Sequence, residues 1–305
     1  MLLKLFIKPL VYSNIFYGCC AVALCVETVY QQKIQLSHRG FYLFIFCITI
    51  LYYSYAYLSQ YHYDKTNTNE RANWYFSYRK QIIVLQLFML LLSMALLTFF
   101  LYNHFYRLPT INYSSWFLLA LFLLLSILYY VKNARSFPWL ALRNYGLVKP
   151  FLIAFIWAGT VSILPILYVD FIQNNAHLFT YTTLFLFFKN WLFISVLCIL
   201  FDIKDYADDY NVQLKTFVVR LGLRKTLFSV VLPLACCSWL LFVALGILAH
   251  FTTLRILLNT IPFILLITVC YTMYQRKSIL YYLAIIDGLM LVKAFFGIAG
   301  IILTK

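Results

Sequence analysis

Acidic residues are scarce in this chain: nine of 305, against 24 Lys and Arg. Charged residues of either sign make up only 11% of it, while 64% is hydrophobic, leaving no polar stretch long enough for a separate water-soluble domain. A single domain is therefore expected over 1–305. The alternating pattern of barrel strands is also missing, and open sheet edges cannot face lipid, so the spanning elements must be helices. The eight cysteines form no Cys-x-x-Cys, and no His stands at metal-ligand spacing beside them. They read as small apolar packing residues rather than zinc ligands. Lys4 and Lys8 precede an apolar run, but no small-x-small cleavage site follows, so the run reads as a first permanent span.

Apolar runs of membrane-spanning length are what the chain has in abundance. Spans are expected at about 6–27, 41–62, 82–102, 115–131, 150–169, 178–201, 227–249, 256–274 and 279–303. The fold class is then all-α integral membrane, with nine transmembrane helices. Seventeen of the Lys and Arg residues fall at the N-terminus and in the connections after the even-numbered spans, and five on the opposite side. The positive-inside rule places the N-terminus in the cytoplasm and the C-terminus outside. The net charge of +15 is thus a matter of topology. Nucleic-acid binding would need a basic, water-exposed face, and no segment offers one.

The longest connections, about 64–80, 132–149 and 202–226, are expected on the cytoplasmic side. Two of them follow spans two and six and begin with acids: Asp64 in one, a cluster at 202–209 in the other. This spacing suggests pseudo-repeat halves, about 1–131 and 150–274, followed by a ninth helix at 279–303. Pro165, Pro233 and Pro262 lie within or at the ends of spans and are expected to kink or terminate helices.

Four of the nine acids occupy the window Asp202-Ile203-Lys204-Asp205-Tyr206-Ala207-Asp208-Asp209. Carboxylates at a membrane edge are costly unless they meet a cation. On one helix, Asp202, Asp205 and Asp209 share a stripe, whereas Asp208 points elsewhere. Such oxygen donors suit Mg²⁺, which takes one or two carboxylates and leaves places for phosphate oxygens. Lys204, Lys215, Arg220, Arg224 and Lys225 crowd the same loop. Acid and base beside a greasy cavity suit a substrate with a diphosphate head and a hydrocarbon tail. The competing reading is an ordinary loop whose acids balance its lysines.

The run from Phe201 through Lys204, Asp205 and Asp209, then Lys215-Thr216 and Val219-Arg-Leu-Gly222, resembles the second aspartate motif of the UbiA-type intramembrane prenyltransferases. Phe201 stands where that family usually has Tyr. The resemblance implies nine helices around a central cavity, Mg²⁺ as cofactor, and Asp205, Asp209 and Lys204 as catalytic residues. It implies a prenyl diphosphate donor and a lipophilic acceptor, with membrane lipids as the surroundings. It further implies the bacterial inner (cytoplasmic) membrane, with the site facing the cytoplasm. Asp202, Asp205, Asp209 and Asp64 would be the metal ligands, and Lys204, Lys215 and Gln60 would bind substrate. Arg143 and Lys149, at the start of span five, either bind the diphosphate as well or serve as positive-inside anchors.

The family's first motif is depleted. Its nearest counterpart is Gln60-x-x-x-Asp64-x-x-x-Thr68, with one carboxylate. Glu70 is a conceivable substitute ligand. Glu-Arg-x-x-Trp at 70–74, and Leu142-Arg143 leading to Lys149 and Trp157, resemble a divergent bacterial branch. A catalytically silent isoprenoid-binding or scaffold protein on the same fold is the alternative reading. A transporter ranks lower, because the spans lack paired Gly/Pro interruptions. Lys189, Asp287 and Lys293 lie within spans and must face protein or water; a buried Lys–Asp pair joining spans six and nine is expected.

Overall fold

The computed structural model describes residues 2–36, 38–58, 70–110, 112–130, 144–173, 180–275 and 277–304. These residues are helical or in short connections, and no strand occurs among them. Seven helices are long and apolar enough to cross a membrane: Arg79–Leu108, Tyr113–Tyr130, Lys149–Ile172, Tyr181–Lys204, Leu223–Leu248, Thr253–Thr272 and Ile279–Ile302. Two shorter apolar helices, Ile15–Gln31 and Arg39–Tyr55, lie where the first two spans are expected. The chain divides into two compact units, Met1–Ala23 with Ser37–Tyr106 and Leu24–Leu36 with Arg107–Lys305.

The first unit contains α1 (Leu2–Tyr12), the start of α2 (Ile15–Gln31), α3 (Arg39–Leu58), α4 (Glu70–Ser77) and α5 (Arg79–His104). The expected span at 6–27 does not run unbroken. It turns at Ser13–Asn14, where Asn14 adopts a left-handed φ of 67°. Asn is among the few residues that tolerate this conformation. Its buried side chain then holds the corner together. The amide donates to Ser54 Oγ and to the Tyr75 hydroxyl, both at 2.9 Å, and its oxygen accepts from the Arg71 guanidinium. Arg71 also donates to the Tyr12 carbonyl, which the end of α1 would otherwise leave unsatisfied, and to the Tyr57 hydroxyl, each at 3.2 Å. Burial pushes the Tyr75 phenol above its usual range, so it stays protonated at neutral pH. The Glu70 carboxylate is exposed; it accepts from Tyr12 at 3.3 Å and lies 3.5 Å from Lys8.

Further along this unit, Cys47, Ile50 and Met89 bury together against Phe46 and Leu85, joining α3 to α5. The exposed face of α5 is apolar from Ile83 to Leu97, with Val84 at 67% and Leu91 at 70% exposure. An apolar surface of that extent calls for lipid around it.

The second unit opens with the last turns of α2 and continues with α6 (Tyr113–Tyr130), α7 (Lys149–Ala158), α8 (Leu164–Gln173) and α9 (Tyr181–Lys204). Three short helices follow: α10 (Tyr206–Asn211), α11 (Phe217–Leu221) and α12 (Leu223–Thr226). The unit ends with α13 (Leu232–Leu248), α14 (Thr253–Thr272), α15 (Ile279–Tyr281) and α16 (Gly288–Ile302). A π-turn at Gly159–Ile163 joins α7 to α8, another at Leu227–Val231 joins α12 to α13, and a third at Tyr282–Ile286 precedes α16. The first two account for Pro165 and Pro233. A helical proline clashes with the carbonyl four residues earlier, here Val161 and Ser229, and both of those residues lie inside the π-turns. The wider turn accommodates the ring, and the spans continue through it.

α9 packs against both α7 and α13. Its start is capped by Thr180, whose hydroxyl accepts from the Thr183 amide. Ala158, Ile163, Leu167 and Phe187 form an apolar cluster with Phe122, Phe155 and Trp191 around them. Gly159 admits the Phe122 ring so closely that a Cβ there would lie 2.2 Å from it. Asn190 donates to Ser162 at 2.8 Å, tying α9 to the π-turn.

The expected Lys–Asp pair between spans six and nine is not what forms. Lys189 of α9 and Lys293 of α16 both meet Glu27 of α2, at 2.9 Å on Oε1 and 2.6 Å on Oε2. All three side chains are at most 4% exposed. The ammonium groups also face rings, Lys189 over Phe242 at 5.4 Å and Lys293 over Phe193 at 5.7 Å. Asp287, also buried, sits just after the third π-turn.

Candidate functional site

The acidic window occupies the end of α9. Asp202 lies in the last turn, and its carboxylate is almost wholly buried, at 3% exposure. Lys149, the first residue of α7, donates to Asp202 Oδ1 at 2.9 Å. Asp202 Oδ2 is buried with no hydrogen-bond partner among the described residues. Both residues sit at the end of the helix that its dipole disfavours: the cation at an N-terminus and the anion at a C-terminus.

The lysine is firmly placed. Its amide donates to the Tyr145 carbonyl, and Gly146 lies so close to the next loop that a Cβ would be 2.6 Å from the Lys215 backbone. One residue past Pro150, Phe151 packs its ring edge-on to Trp191 and Phe217, and its carbonyl accepts from Trp191 Nε1 at 2.9 Å. The segment that carries Lys149 is therefore fixed both to α9 and to the loop after it.

The remaining acids do not continue α9 as one straight helix. Asp205 leaves it, with φ −90° and ψ 7°, and α10 starts at the next residue. The Asp209 amide still bonds the Asp205 carbonyl at 2.9 Å, so the turn stays tight. Asp209 is buried and within electrostatic reach of the Lys149 ammonium. Asp205 is more open, and its carboxylate is met by Lys204, whose side chain curls back toward the acids. Five charged groups thus gather where α7 and α9 meet: Lys149, Asp202, Lys204, Asp205 and Asp209. Lys215 is exposed nearby in the chain. Gln60, Asp64 and Arg143, as well as the Asp208 side chain, lie outside the described residues.

Among the described residues, no group of three Asp, Glu, His or Cys side chains is placed to hold a metal ion. Mg²⁺ seldom uses one; it is usually held by one or two carboxylates and the phosphates of a substrate. Hard oxygen donors, one of them the buried and unbonded Asp202 Oδ2, fit that pattern. Sequence reasoning named Lys149 and Asp202 separately and missed that they pair. The available signal was the unfavourable helix end that each charge occupies.

No protein-family model matches the sequence, and no curated protein does. A solved structure described as a digeranylgeranylglyceryl phosphate synthase in membranes shares the fold. It is 14% identical, with a TM-score of 0.54, and the match covers 96% of this chain and 98% of that one.

Proposed function

We propose that this protein is an intramembrane prenyltransferase that moves a prenyl group from a prenyl diphosphate to a lipophilic acceptor. The observation that carries the reading is the assembly of three carboxylates and two lysines at the end of a buried membrane helix. The fold shared with a digeranylgeranylglyceryl phosphate synthase in membranes supports it. The charge bias along the sequence supports a cytoplasmic position for this end of α9.

In the reaction, the C1–O bond of the allylic diphosphate breaks and its electron pair leaves with the diphosphate. The acceptor's nucleophilic atom then bonds C1 and gives up a proton. Asp205 and Asp209 are the residues that would hold Mg²⁺, which when bound supplies electrophilic stabilisation of the departing diphosphate. Lys204, now on Asp205, is within a side chain's reach of any phosphate bound beside it and would meet its oxygens. The apolar helices keep water from the reacting carbon.

A purified preparation in lipid nanodiscs, given prenyl diphosphates and a panel of lipophilic acceptors, tests the reading. Mg²⁺-dependent product formation is expected, reduced about 100-fold or more in Asp205→Asn and in Asp209→Asn, as for other losses of groups that stabilise developing charge. Full activity in both variants would place the chemistry elsewhere.

A second reading, a binder without turnover, is favoured by two observations. The segment 60–68 has a single carboxylate, and two acids of the cluster are already met by lysine. Tight diphosphate binding with no product from any acceptor would select it.

A further inference from the structure

Of the five charged groups at the site, Lys204 and Asp205 are partly open, whereas Lys149 and Asp202, like Asp209, are shielded from water: the Lys149 and Asp202 side chains are 16% and 3% exposed. Placing both charges against their helix dipoles costs stability, and removing them from water costs more. Lys149 nonetheless occupies Oδ1 of Asp202, and the segment that carries it is held by the close approach at Gly146 and the Trp191–Phe151 hydrogen bond. It is also in electrostatic reach of Asp209, so its charge acts on two of the three acids. The other observation is in the sequence: the segment 60–68, the nearest counterpart of the first motif in the family the sequence resembles, has a single carboxylate, Asp64.

We propose that Lys149 is a built-in cation that fills on Asp202 the seat of a second divalent ion, so that the acidic site takes one divalent cation instead of two. The proposal rests on the prenyl-transfer reading of the same site. One divalent cation together with the Lys149 and Lys204 ammonium groups carries the same positive charge as two divalent cations. The site therefore keeps its capacity to neutralise a diphosphate although it has fewer carboxylates to hold metal. Lys149 is here a positioning residue: it acts on Asp202 and on the charge of the site, not on the reacting carbon.

The full-length protein in detergent, titrated with Mn²⁺ in the presence of inorganic diphosphate and followed by electron paramagnetic resonance, tests this without recourse to turnover. One bound Mn²⁺ per chain is expected for the wild type. Lys149→Met frees Asp202 and should raise the count to two, while Lys149→Met combined with Asp202→Asn should return it to one. Should Lys149→Met fail to fold, Lys149→Gln carries the same expectation, because its amide still donates to Asp202 without a charge. Two ions in the wild type, or one in a folded Lys149→Met or Lys149→Gln variant, overturns the proposal and leaves the transferase reading standing. No Mn²⁺ in the wild type overturns both.

Discussion

Glu27 and Lys293 lie 266 residues apart and meet at 2.6 Å inside the second unit, with Lys189 on the other oxygen of the same carboxylate at 2.9 Å. Two ammonium groups on one carboxylate make the three positions unequal. Removing Lys293 leaves one balanced pair, whereas removing the Glu27 charge leaves two buried cations facing each other. Breaking a buried ion pair by deleting one partner costs about 3–5 kcal/mol. Glu27→Gln should therefore cost at least that much, and Lys293→Met clearly less. Thermal unfolding of purified variants in one detergent decides the matter. Equal losses in the two variants would mean that the lysines share the carboxylate in some other way.

The same carboxylate sets a steric limit. A Cβ on Gly297 would lie 2.7 Å from Glu27 Cγ and 2.8 Å from Oε1. Glu27 is held from two sides and has little room to move away, so Gly297→Ala should destabilise by about 1–3 kcal/mol, the range for overpacking. Gly40→Ala is the control, since its Cβ would meet only Leu96 at an ordinary 3.6 Å. In a helix, Ala is preferred over Gly by about 1 kcal/mol, so that change should be neutral or stabilising. A parallel melt of the two variants checks the contrast; similar midpoints would show that Glu27 yields.

How far the sequence could be read depended on the range of the interaction. The seven long spans were legible because each is a continuous apolar run, and an apolar run needs no partner to be recognised. The break in the first expected span was not. Ser13 and Asn14 interrupt the apolar run without a Gly or Pro, and Asn takes the left-handed φ because Ser54, Tyr75 and Arg71 surround it. Lys189 and Lys293 were legible as buried charges needing compensation, but Asp287 looked like the natural partner from its position on the last span. Glu27 could not be chosen over it, since that choice is made by helix packing across more than 160 residues. At the site, the carboxylates were legible from spacing, while the tight turn at Asp205 and the Lys149–Asp202 pair come from how α7 and α9 pack.

The corner at Asn14 separates backbone conformation from hydrogen bonding. Asn14→Gly and Asn14→Ala both delete the bonds to Ser54, Tyr75 and Arg71, but only alanine also has to adopt the φ of 67°. The left-handed conformation costs a residue with a Cβ about 1–2 kcal/mol. Both variants should be destabilised, alanine more than glycine by about that amount. Denaturant or thermal melts give the difference directly. Indistinguishable variants would mean that the turn relaxes once the hydrogen bonds are gone.

Lys149 and Asp202 allow a test of why the pair is oriented as it is. In the exchanged variant, Lys149→Asp with Asp202→Lys, the ion pair is retained with its direction reversed. The acid then sits at the N-terminus of α7 and the base at the C-terminus of α9, where each helix dipole favours it by about 0.3–1 kcal/mol. If the native direction served the fold, the exchange would lower the melting temperature. If it serves a diphosphate, the exchange should hold or raise the melting temperature in the absence of ligand and abolish the increase that inorganic diphosphate with Mg²⁺ gives the wild type. Melting curves with and without diphosphate read both quantities on one preparation. The native direction has a chemical reason only if stability is kept while the ligand response is lost, since a purely structural ion pair has no cause to stand against both dipoles.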